Sequence, residues 1–126
     1  MPKILYVGQE PDTVDLSDPT LPPGLSPEKI HAGIAVAMRQ MTERGWDAEL
    51  CLVRPDTAGA TLESKLAANP YDCVAIGAGI RVPPKSLMLF EALINVVHKA
   101  APGASIAFNT RPEDTADAVT RVLKGG

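Results

Sequence analysis

Positive charge never gathers in this chain. Its 126 residues hold 12 Lys and Arg against 15 Asp and Glu, a net charge of −3, and no stretch clusters the basic ones. Nucleic-acid binders carry a basic face, so neither nucleic acid nor an anionic membrane surface is an expected partner. No apolar window approaches the roughly 20 residues of a transmembrane helix. The run that begins at Ile4 stops at Gly8, too short for a signal-peptide core. Cysteine is scarce: Cys51 and Cys73 show neither CxxC nor metal-type spacing. Both fall in apolar runs, where a reduced thiol acts as a small apolar group. No metal site is expected, and the expected compartment is the cytoplasm. Repeats, low-complexity tracts and a second domain are absent too. One domain over residues 1–126 is long enough to stand without disulfide or metal.

What is present is an alternation. Short apolar runs at 4–7, 48–53, 73–76 and 105–108 alternate with four helical patterns. The first and third runs are nearly continuous, as in strands covered on both faces. Glu49 marks the second as an edge, and the short, mixed fourth suits the other edge. The first helix has Ser26 as N-cap, Pro27 at its first position and Gly45 beyond its end. Ile30, Ile34, Met38 and Met41 form its apolar face. A second helix is predicted over 62–68, and a third runs from Pro83-Pro84 to about Ala100. The fourth is predicted to start with a capping box of Thr110 and Glu113, and to bury Ala116, Val119 and Leu123. Such alternation implies an α/β three-layer sandwich with a four-stranded parallel sheet in order 2-1-3-4. The first and fourth helices would cover one face, the second and third the other. The connection 9–25 is far longer than usual. It holds four prolines and four acids (Glu10, Asp12, Asp15 and Asp18) without a base, and such loops are commonly functional.

Ligands of open parallel sheets bind beyond the strands' carboxyl ends, where strand order reverses. The predicted order puts that crevice between strands 1 and 3. The strand ends deliver Gly8, Gln9 and Glu10; then Arg54; then Gly77, Gly79 and Arg81; then Asn109, Thr110 and Arg111. Glycine permits close approach of backbone to ligand, a helix start offers N–H groups to an anion, and arginine presents a planar cationic fork. The pattern points to a small anionic ligand, a phosphate or carboxylate. Gly8, Gln9, Gly77, Gly79, Asn109 and Thr110 would line its site, Arg81 and Arg111 would grip it, and the acidic loop would act as a lid. The plainer alternative is that Arg54, Arg81 and Arg111 pair with the loop's acids and pin it. A small enzyme using the same pocket would need Glu10 or His31 as acid–base group. A lone histidine one turn into a helix is ordinarily just solvated, and His98 suits the negative end of its helix. No Ser-His-Asp or Cys-His arrangement is suggested. The Gly-Ala-Gly turn follows the third strand, not the first, and Val82 stands where a dinucleotide fingerprint needs its last glycine. No Walker-type loop is present, and no particular cofactor is implied.

The third helix carries Leu87, Met88, Leu89, Phe90, Leu93, Ile94, Val96 and Val97. A helix apolar all round must be covered all round. Leu89, Phe90, Leu93 and Val97 are therefore expected to form a homodimer surface, the alternative being that the helix sinks between helix 2 and strand 4. An interaction module acting only through that surface is a third functional class.

The layout resembles small flavodoxin-like and Rossmann-like domains. It departs from a two-component receiver, which needs paired acids after strand 1 and an aspartate after strand 3, where Gly77-Ala78-Gly79 stands. It departs from a flavodoxin, whose Ser/Thr-rich phosphate loop is replaced by Gly8-Gln9-Glu10-Pro11. A low-molecular-weight phosphatase or sugar-transport IIB domain would place a cysteine there. The stretch GAGIRVPPKSLMLFEALINVVHKAAPGASIAFNTRP looks like a family of short bacterial proteins of unassigned function, and that resemblance implies no catalytic residue.

Overall fold

In β1 (Lys3–Gln9) successive side chains feed two different cores. Leu5 and Val7 join Val53, Leu62, Val74, Ile76, Leu93 and Val97 on one side. Ile4 and Tyr6 join Ile34, Ala37, Met41, Ala75, Ala107 and Val119 on the other. A strand with both faces buried belongs inside a sheet. The computed structural model, which describes residues 1–123, places it there. β2 (Asp47–Val53), β1, β3 (Cys73–Ile76) and β4 (Ser105–Phe108) form one parallel sheet in that order. Val7 lies level with Cys51 on one neighbour and Ile76 on the other. α1 (Pro27–Glu43) and α5 (Thr115–Leu123) cover one face; α2 (Ala58–Ala68) and α4 (Leu87–Ala100) cover the other. This is the three-layer arrangement of flavodoxin-like and Rossmann-like domains, as the alternation implied.

Local chemistry fixes the ends of α1. The Ser26 hydroxyl accepts the Lys29 N–H at 3.2 Å, and Pro27 opens the first turn. Beyond its end, Gly45 takes φ +84°, a conformation costly for a residue with a Cβ. α2 begins at Ala58 rather than Leu62. Ala58, Leu62 and Leu66 are its buried stripe, but the small residues at 58–60 give too little apolar contrast to show in a pattern. A one-turn helix, α3 (Ala78–Arg81), follows β3 and was not expected. Short 3-10 turns opened by proline occupy Pro11–Thr13, Pro84–Ser86 and Pro112–Asp114.

One expectation is corrected here. The Thr110–Glu113 capping box does not form. Pro112 starts a 3-10 turn that delays the α-helix, and Asp114 takes the role instead. Its carboxylate accepts the Thr110 N–H at 3.0 Å, the Thr110 hydroxyl, and the Arg111 N–H at 3.4 Å. In α4, Leu93 and Val97 are packed into the chain's own core, at 0% and 1% exposure. α2 lies against the helix, with Gly59 close to Val96. Phe90 meets Phe108 of β4 edge to face, with ring centres 5.8 Å apart. Leu89 and Phe90 are half-buried against this core. The exposed large apolar residues of α4 are Leu87 and Met88, at 61% and 82%.

Cys51 and Cys73 are free and buried. Burial pushes both thiols up, Cys73 to about 12. The thiolate is the nucleophile, so neither should react with an aromatic disulfide dye in the native state at neutral pH. Both should react at once in denaturant, and rapid native labelling would show that the sheet opens. No helix among the described residues is long and apolar enough to cross a membrane.

Candidate ligand site

The reversal of strand order sits between β1 and β3, and the backbone there is built low. The Gly77 N–H donates to the Val7 carbonyl at 2.9 Å. A Cβ on Gly77 would come within 3.3 Å of that oxygen, and one on Gly8 within 3.4 Å of Leu52. Above this floor lies a cavity of about 520 Å³. Tyr6, Gly8 and Gly77 form its base, and Ile30 and Ile34 of α1 one side. Its cover is the stretch from Thr20 to Leu25, and Thr110 and Arg111 stand at its far rim. A Cβ on Gly79 would meet nothing within 4 Å, so that glycine leaves open space instead of relieving a clash. A smaller cavity of about 220 Å³ adjoins the first beneath Asp15, Asp18 and Lys85, and shares Gln9, Val14, Leu21 and Gly79 with it.

Six of the eight expected ligand-site residues line the larger cavity: Gly8, Gln9, Gly77, Gly79, Thr110 and Arg111. Arg81 and Asn109 do not. Arg81 lies one turn beyond its strand, where Nη2 donates to the Asn109 carbonyl at 2.9 Å and the guanidinium sits 5.8 Å from the Phe108 ring centre. Its Nε is buried without a partner among the described residues. Arg54 meets Asp12 at 3.4 Å on the β2 side. The three guanidinium groups therefore do not converge. Neighbouring strands are about 4.8 Å apart, so the ends of β2 and β4 stand three spacings from each other, and only Arg111 reaches the crevice. Glu10 leads into the turn Pro11–Thr13, and His31 is exposed on α1. Neither lines either cavity.

Asn109 has a different task. At 1% exposure its Oδ1 accepts the Ala78 N–H at 2.7 Å, and its Nδ2 donates to the Tyr6 hydroxyl at 3.1 Å and to Thr115 Oγ1 at 2.8 Å. The Thr115 hydroxyl in turn donates to the Pro112 carbonyl at 2.7 Å. One amide thus ties β1, the end of β3 and the start of α5 into one satisfied network. The same bonds bear on the expected anion cradle. The N–H groups of Gly77, Ala78 and Ile80 go to Val7, Asn109 and Gly77, so the glycine turn does not present a row of free donors to a phosphate.

The acidic connection is pinned, but chiefly by a base not singled out in the sequence. Lys85, in the turn Pro84–Ser86, forms an ion pair with Asp15 and stands 3.9 Å from Asp18. The Lys85 ammonium and the Ser17 hydroxyl hold the Asp15 carboxyl at about 2, while the hydroxyl and N–H of Thr20 lower Asp18. Gln9 ties the start of the connection by donating to the Thr13 carbonyl at 3.0 Å and its hydroxyl at 3.1 Å. Four acids without a local base were the available signal that distant cations would be drawn in. Tyr6 could have been placed by strand alternation alone. Gly33 left no such trace: a Cβ there would meet Pro112 at 3.0 Å, so this glycine lets α1 approach the turn before α5.

The ionisable groups lining the larger cavity are Tyr6, Lys29, Arg111 and Glu113. Burial raises the Tyr6 phenol, so it stays neutral near pH 7. Lys29 Nζ donates to the Gly24 carbonyl at 2.9 Å. Arg111 forms no ion pair among the described residues. No group of three or more His, Cys, Asp or Glu side chains among them could hold a metal ion. No family model, curated protein or solved structure matches the chain.

Proposed function

We propose that this domain binds a small amphipathic anion: a compact apolar body carrying one carboxylate or phosphate, seated in the larger cavity. The observation that carries this is Arg111, a permanent cation without an ion-pair partner among the described residues, at the rim of a mostly apolar cavity of about 520 Å³. The volume lies within the range of small-molecule sites, and an apolar wall with a few polar anchors is their usual make-up. Glu113 adds one acid at the mouth, but Lys29 and Arg111 outnumber it. The body of the ligand would lie against Ile30, Ile34, Leu21 and Leu25, and its charge would face Arg111.

A dye of that chemical class, 8-anilinonaphthalene-1-sulfonate, tests it directly. Saturable fluorescence enhancement is expected with the native protein. Arg111→Gln should weaken binding about tenfold, the worth of one charge-assisted hydrogen bond. Gly79→Leu, whose Cβ would meet no neighbour within 4 Å, should abolish it while leaving the melting temperature nearly unchanged. Binding that is absent, or equal in all three proteins, would remove this function.

A further inference from the structure

The cover of the cavity has its own fixings. We propose that residues 10–26 form a strap latched electrostatically over the ligand site, with Lys85 as the latch that sets how fast a ligand enters and leaves. The proposal rests on the ligand site proposed above.

Between Val14 and Ser26 the strap has neither helix nor strand. Its shape comes from within. Asp15 Oδ1 accepts the Ser17 N–H at 3.0 Å and hydroxyl at 2.6 Å; Asp18 Oδ1 accepts those of Thr20 at 2.9 and 2.6 Å. Those two local turns hold the strap's form but do not attach it to the sheet. Hydrogen bonds fix its two ends, from Glu10 to the Val53 carbonyl, from Gln9 to Thr13 and from Lys29 to the Gly24 carbonyl, and between them attachment falls to ion pairs: Lys85 with Asp15 and Asp18, and Arg54 with Asp12. Beyond them the chain runs through Leu21, Pro22 and Pro23, which wall the cavity. It then turns at Gly24 with φ +78° and enters α1.

The two fixings differ in kind. Arg54 and Asp12 are both more than half exposed, and such pairs hold weakly. Asp18 is different: its side chain is 6% exposed, and Lys85 is its cation. Removing Lys85 leaves that carboxylate beside Asp15 with no opposite charge nearby. Thr20 still satisfies Oδ1 of Asp18, but two neighbouring carboxylates without a cation between them repel each other, and the strap can relieve this by lifting Asp18 into water. The latch therefore couples a surface ion pair to the wall of the cavity. Its release exposes Leu21 and its neighbours without disturbing the sheet.

Amide hydrogen exchange on the whole chain reads the latch without any ligand. Lys85→Ala should speed exchange over residues 14–25 about tenfold while β1 and β3 stay as protected as before. Lys85→Arg should restore protection, and about 1 M salt, which screens charges beyond about 3 Å, should reproduce part of the loosening in the native protein. Strap exchange unchanged in Lys85→Ala, or faster everywhere alike, would overturn the latch. A stopped-flow arm reads the gate: the naphthalene sulfonate dye should enter and leave Lys85→Ala several-fold faster than the native protein, and equal rates would overturn the gating role. If the native protein binds no dye at all while its strap still answers to Lys85, it is the ligand site that fails and not the latch.

Discussion

Replacing Asn109 by alanine should lower the thermal unfolding midpoint by about 10 °C, the largest effect expected of any change near the cavity. The substitution removes the acceptor for the Ala78 N–H and the donors to Tyr6 and Thr115. Tyr6 is 3% exposed and Thr115 is 0%, so water cannot replace what is lost. A buried polar group left without a partner costs about 1–3 kcal/mol. The three groups share one network and their costs do not add fully, which gives about 3 kcal/mol in all. For a domain between the smallest and the mid-sized, each kcal/mol shifts the midpoint by about 4 °C. Scanning calorimetry of the variant checks this. A shift under about 3 °C would mean that the network is not sealed from solvent.

The second large effect separates the two sides of α4. Leu93→Ala should cost about 3 kcal/mol, as truncation of a fully buried leucine does, with an unchanged slope in urea. Met88→Ala, one turn and a little earlier and 82% exposed, should stay within about 0.5 kcal/mol. Urea titrations at two protein concentrations check both. If Met88→Ala proved costly, and more so at higher concentration, a second molecule would have to cover the exposed end of the helix. The sequence suggests such a partner because nearly every position of α4 is apolar. Within the chain, α2 on one side and Phe108 on another cover part of that apolar surface.

The same contrast shows where the sequence was legible. Strand positions could be read because each buried run is bounded by polar or turn residues, and the order 2-1-3-4 is one of the few right-handed arrangements open to four parallel strands with Glu49 marking the second as an edge. The start of α2 was hidden, since Ala58, Gly59 and Ala60 carry no apolar contrast. α3 is too short for any periodicity. Strand-end position alone places Gly8, Gly77, Gly79 and Arg111 along the cavity. Arg81 could not be placed: its direction depends on a helical turn and an aromatic ring that sequence order does not reveal. Asn109 looked like a ligand contact because a polar residue at a strand end usually is one. Its actual partners come from residues 6, 78 and 115, which only folding brings together.

That amide also makes the cavity depend on α5. Through Asn109 the base of the cavity and the first residue of α5 share one polar network. The last helix is thus not a separable appendage. A fragment ending at β4 would leave Tyr6 facing an unfilled groove, and a peptide spanning 109–123 should bind such a fragment and restore the crevice, in the manner of a split reporter.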